Sequence, residues 1–69
     1  MRLTYKEQKV MNLLMAGKTD KEIARETGHS LGVVRNTVHI ICGKLDAPNR
    51  TAAAVNYCRI VGFQDGGTD

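Results

Sequence analysis

Apolar positions recur every three or four residues along most of the chain, a spacing that predicts helices. The pattern divides into segments that predict helices over about residues 5–16, 20–27, 31–45 and 50–61. The apolar stripe of the first segment consists of Val10, Leu13 and Leu14. That of the third consists of Val34, Val38, Ile41 and Leu45, and that of the fourth of Ala53, Ala54, Tyr57, Ile60 and Val61. We therefore predict an all-α fold, a compact four-helix bundle.

Residues that begin and end helices stand at the boundaries of these segments. Thr4 and Glu7 have the spacing of a capping box, in which each side chain bonds the backbone amide of the other residue. The same spacing recurs at Thr19 and Glu22. Single caps are expected at Ser30 and Asn49, and helix ends at Gly17, Gly28 and Gly62.

The length of the chain, 69 residues, corresponds to one domain. We expect residues 1–63 to form this domain and residues 64–69 to be a flexible tail. The formal net charge is +3, and two of the seven acidic residues lie in the tail. Residues 1–63 therefore carry ten basic and five acidic residues, a balance compatible with a polyanionic partner.

The sequence contains no recognisable catalytic or metal-binding set. Cys42 and Cys58 lack partners at metal-ligand spacing, and His29 and His39 do not complete a zinc site. We expect both thiols to be buried or half-buried in a reducing cytosol. There is no phosphate loop and no credible acid–base pair, so we expect neither an enzyme nor a cofactor. No apolar run approaches the roughly 18 residues that span a bilayer and no signal peptide is visible, so we expect a cytoplasmic protein without a membrane partner.

The second and third predicted helices are joined by a tight turn at Gly28, which is the signature of a helix-turn-helix. In the DNA-binding form of this motif the second helix enters the major groove. Arg35, Asn36 and His39 lie on the side of the third helix that the apolar stripe leaves exposed. Arg can bond guanine O6 and N7, Asn can bond the adenine edge, and His can bond a base or a phosphate. The alternative is that these residues are an ordinary solvated surface.

Contacts with the DNA backbone are expected at the starts of these two helices. Lys18, Thr19 and Lys21 cluster at the start of the second helix, where the motif crosses the phosphates. Ser30 and the free amides at the start of the third helix can bind a phosphate. The alternative for the two lysines is again an ordinary solvated surface.

The chain resembles the LuxR/GerE-type helix-turn-helix family over about residues 3–62. The stretches that carry the resemblance are "LTYKEQKVMNLLMAG", "TDKEIARETGHS" and "VVRNTVHIICGKLDAPNRTAA". The resemblance implies a four-helix fold whose third helix reads double-stranded DNA, with base readers at Arg35, Asn36 and His39. It implies backbone contacts at Thr19, Lys21, Ser30, Thr37, Lys44 and Arg50. The chain departs from the family pattern at His29, Val33, Thr37 and Asp46, the last of which replaces a glycine.

The resemblance also implies that the fourth helix packs against its counterpart in a homodimer on DNA. Ala53, Tyr57 and Ile60 are the candidate dimer contacts, and the alternative for Tyr57 and Ile60 is a place in the core of one chain. We therefore expect a DNA-binding transcriptional regulator, or the DNA-binding module of one. The alternative is a stand-alone antagonist that binds a related regulator protein through the fourth helix, because the chain has no room for a sensing domain.

Overall fold

A computed structural model describes the backbone of residues 2–66 and the side chains of residues 2–61. Its elements are four helices: α1 (Tyr5–Met15), α2 (Asp20–Thr27), α3 (Leu31–Lys44) and α4 (Arg50–Gly66). Helix α3 packs against each of the other three, and α1 also packs against α2. The prediction of an all-α fold with a helix-turn-helix, formed by α2 and α3, is confirmed.

The predicted caps account for the starts of the helices. Thr4 and Glu7 form a capping box at α1, and Thr19 and Glu22 form a second one at α2. In α2 the Thr19 amide donates to Glu22 Oε1 at 2.8 Å, and the Glu22 amide donates to Thr19 Oγ1 at 3.2 Å. The bond from the Thr19 amide lowers the pKa of the Glu22 carboxyl. At α3 and α4 a single side chain caps the helix: Ser30 accepts a hydrogen bond from the Val33 amide, and Asn49 accepts one from the Ala52 amide.

Two of the three predicted glycine stops are confirmed. Gly17 and Gly28 follow α1 and α2 with φ of +83° and +77°, a conformation that glycine adopts without the steric cost of a Cβ. The predicted stop at Gly62 is wrong, because α4 continues to Gly66. The division between a domain and a tail at residue 64 stays a prediction, and residues 67–69 lie outside the described residues.

The core is aliphatic and lies between α3 and the other helices. Its fully or nearly fully buried hydrophobic residues are Val10, Met11, Leu14, Ile23, Val34, Ile41, Leu45 and Ala53. The predicted stripe of α3 is confirmed at Val34, Ile41 and Leu45, while Val38 is only partly buried. Met11, which no prediction included, is completely buried.

Polar contacts between helices complete the packing. Lys44 Nζ lies 2.6 Å from Glu7 Oε1 and 3.1 Å from the Arg2 carbonyl oxygen, which joins the end of α3 to α1. The bond from Lys44, followed by that from the Thr4 amide, lowers the pKa of the Glu7 carboxyl. A hydrogen bond from Gln8 Nε2 to the Tyr57 hydroxyl at 2.6 Å joins α1 to α4.

The cysteines differ in exposure. Cys42 is half-buried, as expected, whereas Cys58 is exposed and the prediction of burial is wrong for it. Burial raises the pKa of the Cys42 thiol, and the charge of Arg50 acts in the opposite direction. Among the described residues, no helix is both long enough and apolar enough to cross a membrane.

The turn after α3 contains a strained residue, Asp46, with φ of +54°. Asp46→Gly is expected to raise the free energy of unfolding by about 0.5–1 kcal/mol, because glycine avoids the Cβ clash of this conformation. The gain is limited by the greater freedom of glycine in the unfolded chain. Urea denaturation measures it as a higher midpoint at an unchanged slope. Asp46→Ala, which keeps a Cβ, is the control, and equal stabilisation by both variants would contradict the explanation.

Candidate nucleic-acid interface

The outer side of α3 carries the three residues predicted to read bases. Arg35, Asn36 and His39 are all exposed, and 67% of the Arg35 side-chain surface is accessible. They stand one helical turn apart or side by side, so they lie on a single ridge. The opposite side of α3 is buried in the core, which fixes the direction in which the ridge points.

A groove beside this ridge brings together residues from α2, α3 and the start of α4. It is lined by Lys18, Thr19, Asp20, Lys21, Arg35 and Arg50. These residues amount to four cations and one carboxylate, so the groove is strongly positive. The structure therefore assembles five of the predicted DNA-contacting residues in one place, although Arg50 is separated from Lys21 by almost half of the chain.

Asp20 is the centre of the charges in this groove. Its Oδ1 lies 2.5 Å from Arg50 Nη1, and its Oδ2 lies 3.8 Å from Arg35 Nε. Arg50 also donates from Nη2 to the Lys18 carbonyl oxygen at 3.3 Å. No local pattern in the sequence predicts this network. Contacts across thirty residues are not encoded in local spacing.

The side chains predicted to contact phosphates differ in whether they already have a partner within the chain. Lys18 pairs with Glu26 at 3.4 Å, whereas no ion pair of Lys21 occurs among the described side chains. Thr19 and Ser30 use a lone pair of the hydroxyl to cap their helices. Because a hydroxyl also has a donor hydrogen, both exposed residues can still donate to a phosphate oxygen.

Comparison with known proteins identifies the family. The sequence of residues 1–57 matches the family described as bacterial regulatory proteins, luxR family (GerE). The chain belongs to the luxR family. This is a family of regulatory proteins rather than enzymes.

Three relatives of this luxR-family chain come from Bacillus subtilis strain 168. The uncharacterized transcriptional regulatory protein YvfU is 48% identical over 52 residues, which are 75% of this chain and 26% of YvfU. The transcriptional regulatory protein DesR is 43% identical over 51 residues, 74% of this chain and 26% of DesR. LiaR, also a transcriptional regulatory protein, is 40% identical over 53 residues, which are 77% of this chain and 25% of LiaR. The matched stretch thus spans about a quarter of each relative.

Two of the predicted backbone contacts of this luxR-family chain lie away from the groove. Thr37 is 1% exposed, and its hydroxyl donates to the Val33 carbonyl oxygen at 2.7 Å, so it cannot reach a phosphate from the interior. Lys44 is engaged with Glu7 on the α1 side of α3. We therefore correct the predicted set by removing Thr37, and we do not count Lys44 as part of the groove.

The candidate dimer contacts on α4 lose burial progressively along one stripe. Ala53 is completely buried within its own chain, which removes it from the predicted interface. Tyr57 is half-buried and accepts the hydrogen bond from Gln8. Ile60 is 45% exposed, so the far end of the stripe extends beyond the bundle. A place in the core of one chain therefore explains Ala53 and part of Tyr57, whereas Ile60 remains a candidate for a contact between two chains.

Proposed function

We propose that this luxR-family domain binds double-stranded DNA in a sequence-specific way and regulates transcription, with α3 inserted in the major groove. The observation that carries the proposal is the exposed ridge of α3 next to a groove with four cations. A major groove about 12 Å wide admits a helix, and its base edges present donors and acceptors to side chains of this reach. The family membership and the three regulatory relatives support the same function.

The proposed contacts divide into two classes. Arg35, Asn36 and His39 read base edges, because they project from the ridge of α3. The groove receives a phosphate strand and fixes the position of the ridge. The residues proposed for the strand are Lys18, Thr19, Lys21 and Arg50, which line the groove, and Ser30 at the start of α3.

We further propose that two copies bind an inverted repeat as a homodimer. Ile60 and the exposed part of Tyr57 offer apolar surface at the far end of α4, which a second copy would cover. Two-fold symmetry places two α3 helices in successive major grooves, about one helical turn of DNA, roughly 34–36 Å, apart.

In vitro selection from a pool of random duplexes tests the proposal most directly. Enrichment of a sequence composed of two inverted half-sites about 10 base pairs apart is the expected result. Enrichment of a single half-site would leave DNA reading intact and reject the dimer. A pool that stays random at low salt, where phosphate contacts are strongest, would reject sequence-specific binding.

Lys21→Ala is expected to weaken binding to selected and random duplexes by the same factor, because a phosphate contact carries no sequence information. The slope of log affinity against log salt concentration should fall by about one for each protein copy. Gel-shift titrations at several salt concentrations measure both quantities. The control is Lys6→Ala, an exposed lysine on α1, which should leave affinity and slope close to those of the native protein. Equal effects of the two variants would remove Lys21 from the interface.

A second candidate function is supported by the ion pairs. Lys18, Lys44 and Arg50 each pair with a carboxylate of the same chain, which reduces the cation supply for DNA. A domain of this kind can instead bind a related regulator through α4 and prevent its dimerisation. Failure to shift random DNA at low salt, together with a stable complex with a purified luxR-family regulator, would favour this function over the first.

A further inference from the structure

Two apolar side chains stand exposed on the outer half of α3. Val33 is 38% exposed and Ile40 is 39% exposed, and both lie next to the ridge of polar residues. Asn36 stands between them, three residues after Val33 and four before Ile40, so the three side chains form one stripe. Arg35 and His39, the other two residues of the polar ridge, form a parallel stripe beside it, so Asn36 lies between the two charged or polar side chains and the two apolar ones. The surface proposed to face DNA therefore has a polar flank and an apolar flank.

Glycines at both ends of the ridge bring this surface closer to any partner. Gly32 and Gly43 are exposed, and a Cβ built at either position meets nothing within 4 Å. Packing within the chain therefore does not require glycine at either position. Without side chains at these two positions, the α3 backbone can lie deeper in a groove, and side chains as short as valine can touch its floor.

The only methyl group that the four bases present in the major groove is the C5-methyl of thymine, and apolar side chains contact it. We propose that Val33 and Ile40 are specificity-determining residues that contact the methyl groups of two thymines in each half-site. The two residues are seven positions apart, about 10.5 Å along the helix. This distance corresponds to about three base-pair steps of roughly 3.4 Å. Each half-site then contains two thymines about three base pairs apart, flanking the base pair that Asn36 contacts.

This inference rests on the proposed function, and the experiment separates the two. The selected duplex is prepared with deoxyuridine in place of one thymine at a time, which removes only the methyl group. Affinity for native protein is expected to fall about fourfold at two positions in each half-site, about three base pairs apart, since each substitution removes one methyl contact. The other thymines serve as controls and should give no change.

The assignment to residues comes from a double-mutant cycle. Val33→Ala should abolish the thymine–deoxyuridine difference at one of the two positions in each half-site, and Ile40→Ala should abolish it at the other. Both residues are partly exposed, and circular dichroism of each variant checks that the helices remain formed.

Each possible outcome decides one part of the argument. Sequence-specific binding that is indifferent to every deoxyuridine substitution would overturn the inference and leave the proposed function intact. Deoxyuridine effects that persist in both variants would show that other residues contact the methyl groups, and would equally overturn it. Absence of binding to any duplex would reject the proposed function, and the inference with it.

Discussion

Ile41→Ala is expected to lower the free energy of unfolding by about 2–5 kcal/mol, the largest effect of the substitutions considered for this domain. Ile41 is completely buried where α3 meets the other helices, so the shortened side chain loses apolar contacts and leaves a cavity. Small domains have total stabilities near the low end of about 5–15 kcal/mol. The variant should therefore be partly unfolded at room temperature.

The neighbouring residue provides a matched control. Ile40 has the same side chain on the same helix but is 39% exposed, so Ile40→Ala is expected to change stability by only about 0.5 kcal/mol. Urea denaturation followed by circular dichroism measures both variants against the native protein. Similar losses for the two would mean that the outer face of α3 is packed against something, which would contradict its assignment to DNA.

Arg35→Ala is expected to weaken binding to the selected duplex by about 1–3 kcal/mol while changing binding to random DNA much less. The reason is that a guanidinium donates two hydrogen bonds to O6 and N7 of one guanine. An alanine variant should accept other base pairs at that position, and repeating the selection with the variant measures the relaxed preference.

Modified bases test which atoms Arg35 contacts. Replacing the guanine by 7-deazaguanine removes N7, and native protein should lose affinity whereas Arg35→Ala should not. Replacing it by inosine removes only the minor-groove amino group, so binding in the major groove should be nearly unchanged. If Arg35→Ala weakened selected and random duplexes alike, Arg35 would be a phosphate contact instead of a base reader.

The fold was largely predictable because its signals are local. Capping boxes and the glycines after α1 and α2 are short-range patterns, and each one stood at the observed boundary. The end of α4 was mispredicted at Gly62 because glycine disfavours the helical conformation by only about 1 kcal/mol, which the rest of a helix can override. Met11 was missed in the core because its place at the junction of α1 with the other helices depends on how the helices pack, which local spacing does not determine.

The candidate site was predictable only in part. The exposed ridge of α3 follows from helical periodicity, since the residues opposite a core stripe must face outward. Thr37 was assigned to the DNA backbone from the family resemblance alone, and in this chain it is buried. The ion pairs of Lys18, Lys44 and Arg50 join different parts of the chain or different helices, so they depend on packing as well as on spacing.

The carboxylate of Asp20 acts as an internal competitor for the guanidinium of Arg35. In the free protein Arg35 lies 3.8 Å from this carboxylate, so moving onto a guanine gives up one attraction to gain another. For a side chain this exposed the attraction is worth about 0.2–1 kcal/mol. The two hydrogen bonds that a guanine accepts are worth more than this attraction, whereas a base with one weaker acceptor offers Arg35 little net gain. If Arg35 reads a guanine as proposed, the Asp20 carboxylate therefore lowers the absolute affinity for DNA by up to this amount and adds nothing to the discrimination between sites.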